Sequence, residues 1–256
     1  MHKVYFVGSG PGDPDLLTIK AKKLIQKADT LVYSGSLLNP KILKFCKNAE
    51  LHDASKLVRE EISDILKKNA LKGKFVVRLH DGDPSIYGAI REQIDNLKRI
   101  GIESEVVPGV SSVLASAATL GTELTLPGVT QTIIITRPES RTLVPKRESI
   151  SELAKHRATM VFYLGVHLIS DIVKEAIAGG YPISTPAAVV YRASWNDEKI
   201  IRGTLKDIAQ RTRKEKITRT AIVIIGDIIK PKSYEYSRLY DKTFSHGYRK
   251  AMVKSQ

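Results

Sequence analysis

The sequence contains very little cysteine, few aromatic residues and no long apolar run. Its one cysteine, Cys46, excludes an internal disulfide framework and a metal site built from cysteines. No run comes near the roughly 20 apolar residues that a membrane-spanning helix needs. The chain starts directly with a strand pattern, which predicts that no signal peptide is present. Together these features predict a folded, cytoplasmic protein of 256 residues without a membrane or metal partner.

Acidic residues are scarce relative to basic ones. Against 27 aspartates and glutamates stand 41 lysines and arginines, which gives a formal net charge of +14. Such a surplus attracts polyanions, which could be nucleic acid or a small molecule with many carboxylates. It is equally compatible with a surface that only keeps the protein soluble. The basic residues are scattered and aromatic residues make up only 6% of the chain, which disfavours nucleic-acid binding. We therefore expect no nucleic-acid partner.

Short apolar, β-rich runs alternate with amphipathic helical stretches along the chain, which is typical of parallel βαβ units. Strands are predicted at 4–7, 30–33, 74–79, 103–107, 131–136, 159–164, 186–191, 199–202 and 221–225. Helices are predicted at 16–27, 56–71, 86–99, 111–120, 148–156, 168–178 and 205–213, the first capped by Asp13 or Asp15. The pattern breaks near Gly121. It predicts two α/β domains with mostly parallel sheets and a cleft between them, at 1–120 and 121–240, followed by a mobile tail at 241–256.

A glycine-rich loop follows the first predicted strand, in the order Val7-Gly8-Ser9-Gly10-Pro11-Gly12-Asp13. The dinucleotide fingerprint requires a third glycine where Asp13 stands, and a carboxylate there would compete with a phosphate for the helix start. A nicotinamide oxidoreductase is therefore disfavoured, and the phosphate-binding loop ending in Gly-Lys-Ser/Thr is absent. The loop either forms only a tight turn, or it allows its backbone to lie close to a ligand that is not strongly anionic.

Two further loops follow predicted strands, where the ligand crevice of a parallel sheet is expected. The first is Asp81-Gly82-Asp83-Pro84-Ser85-Ile86-Tyr87-Gly88, in which Asp83 could bind an amino or hydroxyl group of a ligand or cap the next helix. The second is Val107-Pro108-Gly109-Val110-Ser111-Ser112, in which the two serines could contact a ligand or only cap a helix.

These loops carry a resemblance to a known family. The glycine loop, followed after three residues by Leu16-Leu17-Thr18-Ile19-Lys20-Ala21, resembles the first signature of the tetrapyrrole (corrin and porphyrin) methyltransferases. The Gly82-Asp83-Pro84 loop and the turn at 107–112 match the same family in the same order. The resemblance runs from Val4 to about Ile229, and it implies the class III methyltransferase fold and a homodimer.

The second half of the chain narrows the resemblance. Leu124–Thr132, Thr136-Arg137, Arg141-Thr142, Val144-Pro145 and the run from Ala188 to Glu198 resemble the enzymes that methylate precorrin-4 or cobalt-precorrin-4 at carbon 11, a step of cobalamin biosynthesis. The alternatives are other acceptors of the same family, namely uroporphyrinogen III, a different precorrin or the diphthamide precursor.

The resemblance implies that S-adenosylmethionine is the methyl donor. Its expected contacts are Pro11, Asp81, Gly82, Asp83, Ile86, Tyr87, Ser111, Ser112, Leu164, Ala193, Thr220 and Ala221, with Leu164 standing where relatives carry methionine. A polycarboxylate tetrapyrrole would use basic side chains, for which Arg137, Arg141 and Arg192 are candidates, and Trp195 could stack on the macrocycle or simply pack. Because the donor is already activated, no catalytic residue is assigned. His80 is the one histidine placed to be of interest.

Overall fold

The computed structural model describes residues 2–252, and its elements alternate as an α/β protein requires. The strands are β1 (Lys3–Gly8), β2 (Thr30–Tyr33), β3 (Glu50–Asp53), β4 (Val76–His80), β5 (Glu103–Val107), β6 (Ile133–Thr136), β7 (Thr159–Phe162), β8 (Pro186–Tyr191), β9 (Lys199–Thr204) and β10 (Ala221–Ile225). The helices are α1 (Ile19–Lys27), α2 (Arg59–Leu71), α3 (Ile90–Arg99), α4 (Ser112–Leu120), α5 (Ile150–Ala154), α6 (Ile169–Ala178) and α7 (Ile208–Lys214).

The first sheet is parallel and is covered on both faces. Its strand order is β3-β2-β4-β1-β5, and each of the four neighbouring pairs is parallel. One face packs Val7, Leu31 and Leu79 in a cluster with residues of α1. The other packs Phe6 and Val32 in a cluster with residues of α2 and α3. Burial on both faces explains the nearly continuous apolar runs of these strands, and the carboxyl ends of β4, β1 and β5 lie side by side.

The second sheet has the order β6-β7-β10-β8-β9. Strands β6 and β7 are parallel, whereas β7 and β10 are antiparallel. The α/β class is confirmed, with this antiparallel pair as a departure from uniformly parallel pairing. A strand that runs against its neighbour brings its amino end to the edge where the neighbour's carboxyl end lies.

The chain separates into two compact units. The first comprises the described residues up to Thr119 together with Val190–Lys199. The second comprises Leu120–Val189 and the described residues from Ile200 onward. The predicted limits 1–120 and 121–240 stay a prediction, and they do not include the return of Val190–Lys199 to the first unit. Of the predicted mobile tail, residues 253–256 lie outside the described residues, and within the rest Arg249 donates hydrogen bonds to the carbonyls of Leu239 and Asp241.

Four helices, α1, α2, α3 and α7, begin three or four residues later than predicted, and the structure gives the reason for α1 and α3. Asp13 caps a short 3₁₀ turn at Pro14–Leu16, whereas α1 begins only at Ile19, after Thr18 accepts a hydrogen bond from the Ala21 amide. Thr18 therefore serves the role that was predicted for Asp13 or Asp15. The helix predicted from residue 86 begins at Ile90, because Tyr87 and Ala89 adopt left-handed backbone angles that interrupt a helix.

Within the described residues, no helix combines the length and the apolar character that crossing a membrane demands. The same residues contain no group of three or more histidine, cysteine, aspartate or glutamate side chains placed to hold a metal ion.

Candidate functional site

Three loops meet in backbone contact at the carboxyl edge of the first sheet. A Cβ added to Gly8 would lie 2.6 Å from the Gly109 nitrogen and 2.6 Å from the Gly82 oxygen. A Cβ added to Gly109 would lie 2.1 Å from that same oxygen. Gly10 and Gly82 exchange two backbone hydrogen bonds, of 3.2 Å and 2.9 Å. Glycine is therefore required at Gly8 and Gly109, because the backbones approach each other closely there. The three loops, at 7–13, 81–88 and 107–112, form one rigid surface that is called the rim below.

The Asp83 carboxylate joins the second and third loops. One of its oxygens accepts a hydrogen bond from the Ser85 amide at 2.8 Å, and the other accepts one from the Gly109 amide at 2.9 Å. The carboxylate therefore holds a turn and joins two loops, while its predicted contact with a ligand stays a prediction. Each oxygen keeps a further lone pair with which to accept a hydrogen bond from a ligand.

The third loop ends in two serines at the amino end of α4. The buried Ser111 accepts a hydrogen bond from the Val113 amide, which caps the helix. The Ser112 amide lies 3.8 Å from the position that a Cβ on Gly82 would occupy. In the second loop, Ile86 is half-buried and Tyr87 is 47% exposed.

The segment Val190–Lys199 covers the glycine loop. The Trp195 indole donates a hydrogen bond to the Pro11 carbonyl at 2.9 Å, and the Asp13 amide donates one to the Ser194 hydroxyl at 3.0 Å. A Cβ on Gly12 would lie 1.9 Å from the indole nitrogen, so the ring rests directly on this glycine. Packing therefore accounts for part of the role of Trp195, while its predicted contact with a macrocycle stays a prediction. The neighbouring Ala193 is buried.

The candidate substrate arginines have different surroundings. Arg137 donates to the carbonyls of Pro138, Thr142 and Leu143, and so closes its own loop. Arg192 is paired with Asp197 at 2.5 Å, and its guanidinium lies over the Trp195 ring at 4.7 Å. Arg141 is exposed, and it makes no ion pair or side-chain hydrogen bond with the part of the chain that the structure describes. Among the described residues, Arg141 is thus the candidate arginine without an ion-pair partner.

The second unit brings four predicted residues to one edge of its sheet. Leu164 follows β7 and Thr220 precedes β10, and the pairing of Phe162 with Val223 places Leu164 level with Ala221. Strand β6 is parallel to β7, so Arg137 leaves it at the same edge. Leu164 is 52% exposed, which leaves its side chain free to contact a ligand.

Several predicted site residues adopt strained backbone angles. Tyr87, Leu164, Arg192 and Thr220 have φ between 48° and 56°, a region that β-branched and bulky residues rarely enter. Each such residue costs of order 1–3 kcal/mol, and this strain is commonly retained where function requires it. The coincidence of strain with the predicted contacts favours a functional reading of these positions.

A buried polar group lies beneath the rim and was not singled out from the sequence. Arg78 on β4 is 6% exposed, and its guanidinium donates to the carbonyls of Val32 and Leu79. Burial lowers the pKa of Arg78 to about 10, so it stays charged at neutral pH. The signal available in the sequence was a charged residue inside the apolar run Val76–His80.

His80 is a neutral core residue. It is 3% exposed and stacks on Phe6, with ring centroids 6.1 Å apart. Burial, together with the charge of Arg78, lowers the pKa of His80 to about 3. Burial raises the pKa of Asp81, whereas its own backbone, Arg78 and the Ser34 hydroxyl act in the opposite direction.

Comparison with known proteins identifies the family. Residues 3–209 match the family model described as tetrapyrrole (corrin/porphyrin) methylases. A cobalt-precorrin-4 C(11)-methyltransferase of Methanocaldococcus jannaschii is 57% identical over 253 residues, which are 98% of each chain.

Solved structures agree with this match. The X-ray structure of a cobalamin biosynthetic enzyme, cobalt precorrin-4 methyltransferase, matches with a TM-score of 0.87 and 44% identity, over 90% of this chain and 97% of that one. A uroporphyrin-III C-methyl transferase from Thermus thermophilus, complexed with S-adenyl homocysteine, matches with a TM-score of 0.76 and 31% identity, over 91% and 96% of the two chains. The chain therefore belongs to the tetrapyrrole (corrin/porphyrin) methylase family.

Proposed function

We propose that this protein transfers a methyl group from S-adenosylmethionine to carbon 11 of cobalt-precorrin-4 or of metal-free precorrin-4, in cobalamin biosynthesis. The observation that carries the proposal is the 57% identity, over 98% of both chains, to a relative named for this reaction. The fold and the rim of loops are compatible with the same chemistry. The donor supplies an activated methyl group, so the protein has to position the two molecules and exclude water.

The donor site in this proposal is the rim of the first unit. Its backbone groups and the carboxylates of Asp81 and Asp83 suit a ligand that carries an ammonium and a sulfonium but no phosphate. The close approach of Gly8, Gly82 and Gly109 leaves backbone, rather than side chains, at the rim surface. The proposed contacts in the first unit are Pro11, Asp81, Gly82, Asp83, Ile86, Tyr87, Ser111, Ser112 and Ala193. For the second unit, the resemblance implies Leu164, Thr220 and Ala221.

The proposed acceptor is a tetrapyrrole with many carboxylates. Of the three candidate arginines, Arg141 is best suited to pair with one of them, because it is exposed and has no ion-pair partner among the described residues. Arg137 shapes the loop from which Arg141 projects, through its bonds to the carbonyls of Thr142 and Leu143. In this proposal Arg192 and Trp195 form a stacked pair that presents a flat surface to the macrocycle.

A homodimer located in the cytoplasm is part of the proposal. The edge strand β6 leaves Ile133 and Ile135 exposed by 37% and 42%, and exposed apolar residues on an edge strand favour a protein partner. Analytical ultracentrifugation of the purified protein tests this point, and a monomer at micromolar concentration would contradict it.

The decisive experiment is anaerobic incubation of the protein with S-adenosylmethionine and each of three acceptors: cobalt-precorrin-4, metal-free precorrin-4 and uroporphyrinogen III. Mass spectrometry should show the gain of one methyl group on a precorrin-4 substrate, mapped to carbon 11 by NMR. The faster of the two precorrins identifies the metal state of the substrate. Methylation of uroporphyrinogen III alone would overturn the choice of acceptor while keeping the donor site.

A further inference from the structure

The segment Val190–Lys199, called the covering segment below, contains a turn with an unfavourable backbone. Arg192 and Ser194 adopt left-handed φ of 48° and 69°, which residues with a Cβ rarely do. Within the turn, the Trp195 amide donates a hydrogen bond to the Arg192 carbonyl, and the Glu198 amide donates one to the Trp195 carbonyl. A backbone of this kind persists only where further contacts hold it.

The Glu198 carboxylate supplies two such contacts. Its Oε2 atom accepts a hydrogen bond from the Ser194 amide at 2.6 Å and one from the Thr119 hydroxyl at 2.8 Å. Thr119 lies in the last turn of α4, the helix that begins at Ser112. Hydrogen bonds to a carboxylate are stronger than those between neutral groups. One carboxylate oxygen therefore links the left-handed Ser194 to α4.

Ser194 connects Glu198 to the glycine loop. Its hydroxyl accepts a hydrogen bond from the Asp13 amide at 3.0 Å, and the next residue, Trp195, donates from its indole to the Pro11 carbonyl at 2.9 Å. Ala193, which precedes Ser194, and Pro11 both belong to the first unit, and both are proposed contacts of the methyl donor. A displacement of the Ser194 backbone would therefore displace both donor contacts.

An ion pair between Arg192 and Asp197 is a second side-chain contact within the covering segment. The Asp197 side chain is 55% exposed, and exposed ion pairs contribute little to stability. Glu198, in contrast, is half-buried and bonds directly to a backbone amide. The conformation of Ser194 therefore depends on Glu198 more than on the ion pair.

We propose that Glu198 is a positioning residue for the methyl donor: its carboxylate fixes the Ser194 backbone and thereby holds Ala193 and the Pro11 carbonyl in place for the donor. Glu198 acts through the hydrogen bonds that its oxygen accepts, and not through its charge. The inference rests on the proposed function, because it assigns Ala193 and Pro11 to the donor site.

The first test compares three substitutions of Glu198 by calorimetric titration with S-adenosylhomocysteine. Glu198→Ala removes the acceptor and should weaken binding about tenfold. Glu198→Gln keeps the length of the side chain and an oxygen that can accept both hydrogen bonds, so its affinity should stay within about threefold of wild type. Glu198→Asp keeps the charge but is one methylene shorter, and it should bind more weakly than Glu198→Gln.

The second test needs no ligand. Trp195 is the only tryptophan in the sequence, so intrinsic tryptophan fluorescence reports on the covering segment. In Glu198→Ala the emission should shift to longer wavelength, because the indole loses its contact with Pro11 and becomes more exposed to water. In Glu198→Gln the emission should match that of wild type.

A matched control and a double variant complete the design. Glu123→Ala removes an exposed glutamate whose carboxylate makes no hydrogen bond or ion pair within the described part of the chain, and it should change neither affinity nor emission. Ser194→Ala should weaken binding on its own, because the Asp13 amide loses its acceptor. In the Glu198→Ala background it should add little, since residues that act through the same contact are not additive.

Three results would overturn the inference. Glu198→Ala that is less stable in urea but binds S-adenosylhomocysteine like wild type would make Glu198 a purely structural residue. Glu198→Asp that binds better than Glu198→Gln would show that the charge matters and the position does not. Unchanged emission of Trp195 in Glu198→Ala would show that the covering segment does not depend on Glu198.

Two further outcomes stay informative. If Glu198→Ala does not fold, the order of affinities of Glu198→Gln and Glu198→Asp decides between support and refutation. A wild-type protein that binds no S-adenosylhomocysteine would refute the proposed function and the donor role of Glu198 with it. The fluorescence comparison would still show whether Glu198 holds the covering segment, so the two failures are distinguishable.

Discussion

The contact among Gly8, Gly82 and Gly109 yields a quantitative prediction. The methyl group of Gly8→Ala would lie 2.6 Å from both the Gly109 nitrogen and the Gly82 oxygen, whereas ordinary contact begins at 3.4 Å. The loops must therefore separate by roughly 0.8 Å, because the obstructing atoms are backbone and cannot rotate away. Overpacking of this kind destabilises a protein by about 1–3 kcal/mol. The separation also displaces the rim, so S-adenosylhomocysteine should bind at least about tenfold more weakly.

The assay compares urea unfolding and calorimetric titration of Gly8→Ala with those of Gly247→Ala. Among the described residues, no atom lies within 4 Å of a Cβ added to Gly247, and its φ is not left-handed, so its replacement should be close to neutral. The contact argument is refuted if Gly8→Ala unfolds at the same urea concentration as Gly247→Ala and binds S-adenosylhomocysteine equally well. A loss of stability without a loss of affinity would show that the rim is not the donor site.

Three further predictions concern Asp83, Trp195 and His80. Asp83→Ala leaves the Gly109 amide without its acceptor and should cost about 2–3 kcal/mol; Asp83→Asn should cost only about 1 kcal/mol, so unchanged S-adenosylhomocysteine affinity in folded Asp83→Asn would exclude a donor role. Trp195→Phe removes the bond to the Pro11 carbonyl and should lower unfolding stability by about 1 kcal/mol, and no change in urea unfolding would contradict this. For His80, the folded pKa of about 3 lies below the ordinary 6.5, so stability is lost as pH falls through that interval. His80→Leu should therefore flatten the acid limb of the stability curve, and parallel curves would refute the assignment.

The strands and their meeting loops were predictable because the first sheet is buried on both faces. The continuous apolar run Val4–Val7 indicates a buried strand even when its neighbouring strands are unknown. The loops meet because the carboxyl ends of parallel strands lie at one edge of the sheet. Strand β3 was missed because Glu50–Asp53 lies at the edge of the sheet, with Leu51 46% exposed, and so shows no apolar pattern.

The contacts of the rim were less predictable than its position. The Trp195 indole meets the Pro11 carbonyl across 184 residues of sequence, and no local pattern indicates such a contact. The late start of α3 depends on the left-handed backbone at Tyr87, which a tertiary environment imposes against the intrinsic preference of the residue. The burial of Arg78 could not be predicted, because the sequence shows only that a charged residue stands within an otherwise apolar strand.

The return of Val190–Lys199 to the first unit has a consequence for recombination between relatives. A gene fragment ending at Thr119 encodes the whole first sheet but omits the indole that covers Gly12. A single crossover near residue 120 would join the glycine loop of one parent to the Trp195 segment of the other. The indole rests directly on Gly12, and closely packed surfaces tolerate little change of volume. Chimeras should retain activity more often when a second pair of crossovers transfers Val190–Lys199 together with the loop.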